Sequence, residues 1–342
     1  MYLRPVAAVA TALLGLALAL AGGTAPASSR GTAAGTGPAG APAARPAAGP
    51  AGGPATGAAA RAVPALLPGP VRLQAGGPAG LQGGVPVLYA HRGASAYAPE
   101  NTLAAIDLAG RMGVDWVEND VQRTKDGELV VIHDESLART TDVEVLFPDR
   151  SPWRVQDFTA EEIARLDAGS WFGPEYAGAR VPTLHDYLDR VRHNRQRLLL
   201  EIKKPELYPG IEEDTLRVLD EAGWLDERHV EELLVVQSFS ADCLRTVHRL
   251  RPDVVTGFLG TPAVTDLAGY SEFADRINPW HTTISADWVS AVHGLLGAHG
   301  RPMEIDTWIV DAPDVARKVR DMGVDGIITN APDVVRDALE GA

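Results

Sequence analysis

From Val85 onward, short apolar runs alternate with stretches whose apolar residues recur at helical spacing. Val85 to Ala90 (VPVLYA) reads as a strand. Asn101 offers a side-chain cap for a helix through Leu103, Ile106 and Leu108, ending near Gly113. Val114 to Val121 (VDWVENDV) is a second strand, Lys125 to Gly127 a turn, and Glu128 to Asp134 (ELVVIHD) a third strand. Thr159 with Glu162 forms a capping-box pattern that opens a helix through Asp167, and Thr183 to Val191 is another helix. Strands follow at Arg197 to Lys203, Leu233 to Phe239 and Val254 to Leu259. The last pair, Ile305 to Val310 and Asp325 to Asn330, flanks a helix from Ala312 to Gly323.

The strands are short and rich in Val, Ile and Leu, as parallel strands covered on both faces are. A helix followed by MGVD and a strand occurs twice, at Met112 to Asp115 and Met322 to Asp325. In both, Gly closes the helix in the left-handed region. The alternation and the 258 residues from Val85 onward predict one α/β domain, a TIM-like (β/α)8 barrel. Eight strands are read, with a possible ninth around His281 to Ser285. The turn at Lys125 to Gly127 is too tight to hold a helix, so the barrel is expected to be irregular there. A doubly wound open sheet is the competing architecture.

Composition separates the first quarter from the rest. Residues 1–84 are mostly Ala, Gly and Pro, with five arginines and no acid. Arg4 and the uncharged run Val6 to Ala21 predict a signal peptide over residues 1–27, followed by a disordered tether over 28–84. The run is short for a bilayer span, so no stable membrane insertion is expected after cleavage, and the protein is expected to be exported. Cys243 is the only cysteine and forms no internal disulfide. The remaining 258 residues (85–342) hold 45 acidic against 26 basic residues, a formal net charge of −19. That argues against a nucleic-acid partner.

Polar groups recur at the C-terminal ends of the predicted strands, where a barrel of this kind gathers its chemistry at one mouth. His91 and Arg92 end the first strand, His133 and Asp134 the third, and Glu201 and Lys203 the fourth. Glu118 and Asp120 are two apart on the second strand and share a face, as do Glu201 and Lys203. Three converging acids, Glu118, Asp120 and Glu201, repel one another unless a cation lies between them. Oxygen-only ligation suits Ca²⁺ or Mg²⁺. His91 and His133 are the acid–base candidates, because a free imidazole is the side chain whose proton exchanges near neutral pH. Arg92 and Lys203 can hold a phosphate, and Gly93 lets backbone approach a ligand. Serine-hydrolase, nucleotide-loop and cysteine-metal motifs are missing from the sequence.

The segments HRGASAYAPENT, VENDVQRTKDGELVVIHD, LARTTD, VPTLHDYL, LLLEIKKP, VVQSF and GVDGIITNAPD, in that order, resemble the glycerophosphodiester phosphodiesterase family from about Val87 to Asp333. The resemblance implies a TIM-like barrel. It implies an enzyme that uses one divalent cation, Ca²⁺ or Mg²⁺, to hydrolyse glycerophosphodiesters such as glycerophosphocholine and glycerophosphoethanolamine. The products are sn-glycerol 3-phosphate and an alcohol. His91 and His133 correspond to the general acid and base, and Glu118, Asp120 and Glu201 to the metal ligands. Arg92 and Lys203 correspond to the phosphate-binding cations, and Glu100, in PENT, to a residue near the metal.

Two positions depart from the family pattern. Asn119 stands between the two acids where a hydrophobic residue is usual, and alternation turns it away from the site. WIVD replaces the frequent WTVN, so Trp308 is kept, with an implied stacking role on the glycerol side, and Asp311 replaces an asparagine. The 133–201 segment is too short for a large inserted domain, so a compact single-domain form is expected. The alternatives are a sphingomyelinase-D-like or phosphoinositide-cleaving phospholipase and a catalytically silent exported binding protein. The attacking oxygen, from water or the substrate's own glycerol, is left open.

Overall fold

The computed structural model describes residues 84–341. The expected signal peptide and all but the last residue of the expected tether lie outside them. Among the described residues there are nine strands: β1 (Val87–Ala90), β2 (Trp116–Arg123), β3 (Leu129–Val131), β4 (Arg197–Ile202), β5 (Leu234–Ser238), β6 (Thr256–Leu259), β7 (Arg276–Asn278), β8 (Glu304–Thr307) and β9 (Gly326–Thr329). All but β3 run parallel in the order β1-β9-β8-β7-β6-β5-β4-β2, and β2 pairs back onto β1. The sheet is therefore a closed eight-stranded barrel, and the open sheet is excluded.

The strands read as unbroken apolar runs because both faces are covered. Tyr89, Trp116, Leu199, Val235, Val255 and Ile328 fill the interior. Val117, Val121, Leu198, Leu200 and Val236 face outward under the helices. Leu198 and Leu200 are fully buried, so truncating either to Ala costs about 2–5 kcal/mol. Helices at Leu103–Arg111, Leu184–His193, Ile211–Glu221, Ala241–Leu250, Leu267–Ser271, Ala286–His293, Pro313–Met322 and Pro332–Glu340 form the outer layer. Gly113 and Gly323 both take the left-handed conformation (φ +75° and +91°) expected of the MGVD units. Among the described residues no helix is long and apolar enough to cross a membrane.

Several local expectations are corrected. The third strand is not a barrel strand: β3 folds back antiparallel on β2, with Val121 opposite Val131. The strand missing from the sequence reading is β7, not His281 to Ser285. Its three residues include Arg276 and Asn278, so no apolar run announces it, and Ser285 instead caps the next helix by accepting from Trp288 N. Asn101 does not cap the first helix, because its amide is engaged with Asp120. Thr102 does so, its Oγ1 accepting from Ala105 N. The capping box at Thr159 and Glu162 forms, but that helix stops at Ile163, and Leu166 turns into a small satellite core under residues 133–181.

The hairpin explains how the mouth is shaped. β2 outruns β1, which pairs with it only at Trp116 and Val117. β3 occupies the same edge beyond Asp120, where Ile132 N donates to Asp120 O (2.9 Å). The chain thus leaves β2's edge at His91 and returns to it at His133, with Glu118 to Asp120 between.

Candidate active site

Strand register brings the three acids together. Asp120 on β2 is the direct neighbour of Glu201 on β4, and Glu118 lies two residues earlier on the same face. One carboxylate oxygen from each lies within 4.8 Å of the others, and all three residues are buried. Asp120 Oδ2 accepts from Asn101 Nδ2 (2.8 Å), while the buried Asp120 Oδ1 makes no hydrogen bond and lies 3.4 Å from Lys203 Nζ. Glu118 Oε2 accepts from Arg92 N (2.9 Å), and Glu201 Oε1 pairs with Lys203 Nζ (2.8 Å).

Charge is unevenly distributed in this cluster. Burial, then Asp120 and Glu201, push the Glu118 carboxyl well up, against Arg92. Burial and Asp120 push Glu201 up to about 8, although Lys203 opposes them. Burial also disfavours the charge on Asp120, but Arg92 and Lys203 outweigh it and hold that carboxyl far below its usual range. Three inward carboxylates with an unbonded oxygen among them fit a hard divalent cation, which oxygen donors of this kind hold. Cations and carboxylates alone leave the acids partly protonated; a metal ion would remove that frustration.

Both histidines line the cavity that contains Glu118, Glu201, Lys203, Phe239 and Trp308. His91 Nδ1 contacts Asn330 Oδ1 (2.7 Å). Asn330 Nδ2 donates to Asp311 Oδ2 (2.7 Å), which sets the amide so that His91 Nδ1 donates and Nε2 faces Glu118 at 4.0 Å. Burial, then Arg92, lower the His91 pKa to about 4. His133 Nδ1 pairs with Asp134 Oδ1 (2.7 Å), which leaves its Nε2 free. Each ring is thus tied at Nδ1, one to an amide and the other to a carboxylate.

Arg92 projects from a left-handed turn (φ +55°) and pairs with Glu100 (2.7 Å) and Asp120 (3.1 Å). Gly93 serves the fold rather than a ligand. At φ +82°, a Cβ there would come within 2.6 Å of Ala105, so the glycine lets the turn pack on the first helix. Glu100 lies outside the acid trio, with its oxygens on Arg92 and Arg139. Trp308 sits in the cavity wall, edge-on to Phe239 and Trp280. Asn119 is fully buried on the opposite face of β2.

Sequence reasoning gave no site role to Asn101, Asp134, Arg139, Gln237, Phe239 or Asn330. All six lay inside quoted motifs, and a search for partners of the histidines would have found Asp134 beside His133. Gln237 and Asn330 bond across 119 and 239 residues, and nothing local signals such pairings.

The family model described as "Glycerophosphoryl diester phosphodiesterase family" matches residues 91–334. YhdW of Bacillus subtilis (strain 168) is 37% identical over 241 residues, covering 69% of this chain and 90% of its own. A glycerophosphodiester phosphodiesterase of Caldanaerobacter subterraneus subsp. tengcongensis is 38% identical over 199 residues, 58% of this chain and 71% of its own. A solved Oleispira antarctica phosphodiesterase, in complex with the product sn-glycerol 3-phosphate, superposes with a TM-score of 0.64 at 28% identity. It covers 75% of this chain and 97% of that one. With the motif-bearing residues gathered at one barrel mouth and the match spanning nearly the whole described region, the chain belongs to the glycerophosphoryl diester phosphodiesterase family and is a phosphoric diester hydrolase.

Proposed function

We propose that the protein hydrolyses water-soluble glycerophosphodiesters, such as glycerophosphocholine and glycerophosphoethanolamine, to sn-glycerol 3-phosphate and the free alcohol. The observation that carries this reading is a single cavity lined by His91, His133, Glu118 and Glu201, with Asp120 completing the buried acid trio. Glu118, Asp120 and Glu201 would hold one divalent cation, Ca²⁺ or Mg²⁺. When bound, it supplies Lewis-acid charge at a phosphoryl oxygen.

The side chains divide the remaining work. His91 is the general base: its Nδ1 proton is held by Asn330, and its Nε2 is turned into the cavity to take another. His133 is the general acid, with Asp134 fixing its tautomer and facing the ring when it carries the proton. Lys203 and Arg92 offset negative charge on the phosphoryl oxygens. Trp308, with Phe239 and Trp280, gives the glycerol side an apolar wall. The signal-like N-terminus supports an exported enzyme, and the acidic domain supports a small-molecule rather than a nucleic-acid ligand.

Phosphorus-31 NMR of the chelator-treated protein with glycerophosphocholine, glycerophosphoethanolamine and sphingomyelin, before and after Ca²⁺ or Mg²⁺, tests the reading. Glycerol 3-phosphate should appear from the two soluble diesters only after cation is restored. Cleavage of sphingomyelin alone would move the assignment to a lipid-cleaving phospholipase, and cleavage of none would overturn the proposed substrates.

A further inference from the structure

Arg139, in the LARTTD segment after β3, touches both halves of the site without lining the cavity described above. Its Nε and Nη2 donate to Asp134 Oδ2 (2.5 Å) and Oδ1 (3.0 Å). Its Nη1 and Nη2 donate to Glu100 Oε2 (2.7 Å) and Oε1 (2.8 Å). One planar guanidinium thus grips two carboxylates, each at two points, which a lysine ammonium cannot do.

Each carboxylate leads to a different part of the machinery. Asp134 Oδ1 meets His133 Nδ1 (2.7 Å). Glu100 Oε1 also accepts from Arg92 Nη1 (2.7 Å), and Arg92 Nε lies 3.1 Å from Asp120. His133, Asp134, Arg139, Glu100, Arg92 and Asp120 form one unbroken chain of contacts. Its ends, Asp120 on β2 and His133 just after β3, belong to paired strands, while Arg92 and Glu100 join it from the segment after β1, which does not pair with β3.

We propose that Arg139 is a positioning residue that locks the His133 ring and the Arg92 guanidinium into one geometry by clamping Asp134 and Glu100 together. The Arg139 side chain is 44% exposed, and an ordinary ion pair so placed contributes little to stability. Its effect is therefore on turnover: misplacing a reacting group by about 1 Å costs about a hundredfold. The inference rests on the hydrolytic reading above, in which His133 and Arg92 act on the phosphodiester.

The test compares steady-state hydrolysis of glycerophosphocholine, with saturating cation, by wild type and the Arg139→Ala, Arg139→Lys and His133→Ala variants, with Tm measured for each. Arg139→Ala should lower kcat by about 10–100-fold while Tm stays within a few degrees. Arg139→Lys should recover only part of the loss, and free guanidinium should restore turnover to the Ala variant but not to His133→Ala. Non-additivity of Asp134→Asn with Glu100→Gln should shrink in the Arg139→Ala background, since the guanidinium is the group hydrogen-bonded to both. Unchanged kcat in Arg139→Ala beside an inactive His133→Ala overturns the inference alone. A large fall in Tm with no rescue by guanidinium makes Arg139 structural and also overturns it. Full turnover in His133→Ala overturns the hydrolytic reading, and the inference with it.

Discussion

The barrel buries a charged cluster at each end, and only one of them is arranged to do chemistry. At the floor, Arg276 on β7 pairs with Asp306 (2.8 Å) and Glu304 (2.9 Å), donates to the Tyr89 hydroxyl, and lies over the Trp116 ring. Each floor carboxylate faces the arginine. At the mouth, the cations sit outside the trio and the carboxylates face one another, with Asp120 Oδ1 unbonded. Burial raises Glu304 and Asp306 at the floor as well as Glu118 and Glu201 at the mouth. Shifted acids alone therefore do not mark a site. What distinguishes the mouth is geometry: acids turned toward one another and toward a cavity lined by two singly tethered histidines.

That contrast breaks most visibly through the histidines. His91→Ala or His133→Ala should each lower kcat about 10²–10⁴-fold with little change in Tm, as paired kinetics and calorimetry would show. Arg276→Met should do the reverse. Leaving the buried Asp306, with the half-buried Glu304 beside it, without their cation costs about 3–5 kcal/mol, read as a lower Tm, while kcat per folded molecule holds. Metal-free protein should also respond to pH through the mouth. Folded Glu201 keeps its proton up to about 8, whereas the unfolded chain releases it near the ordinary 4.5. Its contribution is full below about 4.5 and is lost as pH rises towards 8. Tm in chelator should therefore fall over that window, and added Ca²⁺ or Mg²⁺ should flatten the slope. The smallest effect lies behind the site. Asn119 is fully buried with neither amide atom hydrogen-bonded, so Asn119→Val should stabilise by about 1–3 kcal/mol and leave kcat unchanged. A fall in Tm there would show that the amide has a partner.

Much of this was legible because it is local. Period-two alternation placed Glu118 with Asp120 and turned Asn119 away. Apolar runs marked the parallel strands, and strand ends marked the mouth. What was hidden depends on contacts that no local pattern encodes. β7 carries Arg276 and Asn278 inward and has no apolar signature. The return of β3 along β2 is a tertiary choice, so His133 reaches the mouth by a hairpin rather than as the end of a barrel strand. Asn101 looked like a cap because Asn is a good one, but its pairing with Asp120, nineteen residues away, prevailed. The Arg139 clamp joins Glu100 to Asp134 across 34 residues of chain, a pairing that no local pattern encodes.

Anomalous diffraction from a crystal soaked in Mn²⁺, as a stand-in for the native cation, tests most directly whether the three acids share one ion. One strong peak is expected at bonding distance from an oxygen of each of Glu118, Asp120 and Glu201, between His91 and His133, and it should be lost in Asp120→Asn. A mouth without density in an enzyme that still hydrolyses glycerophosphocholine in chelator, or a peak bound elsewhere, would contradict the metal-centred site.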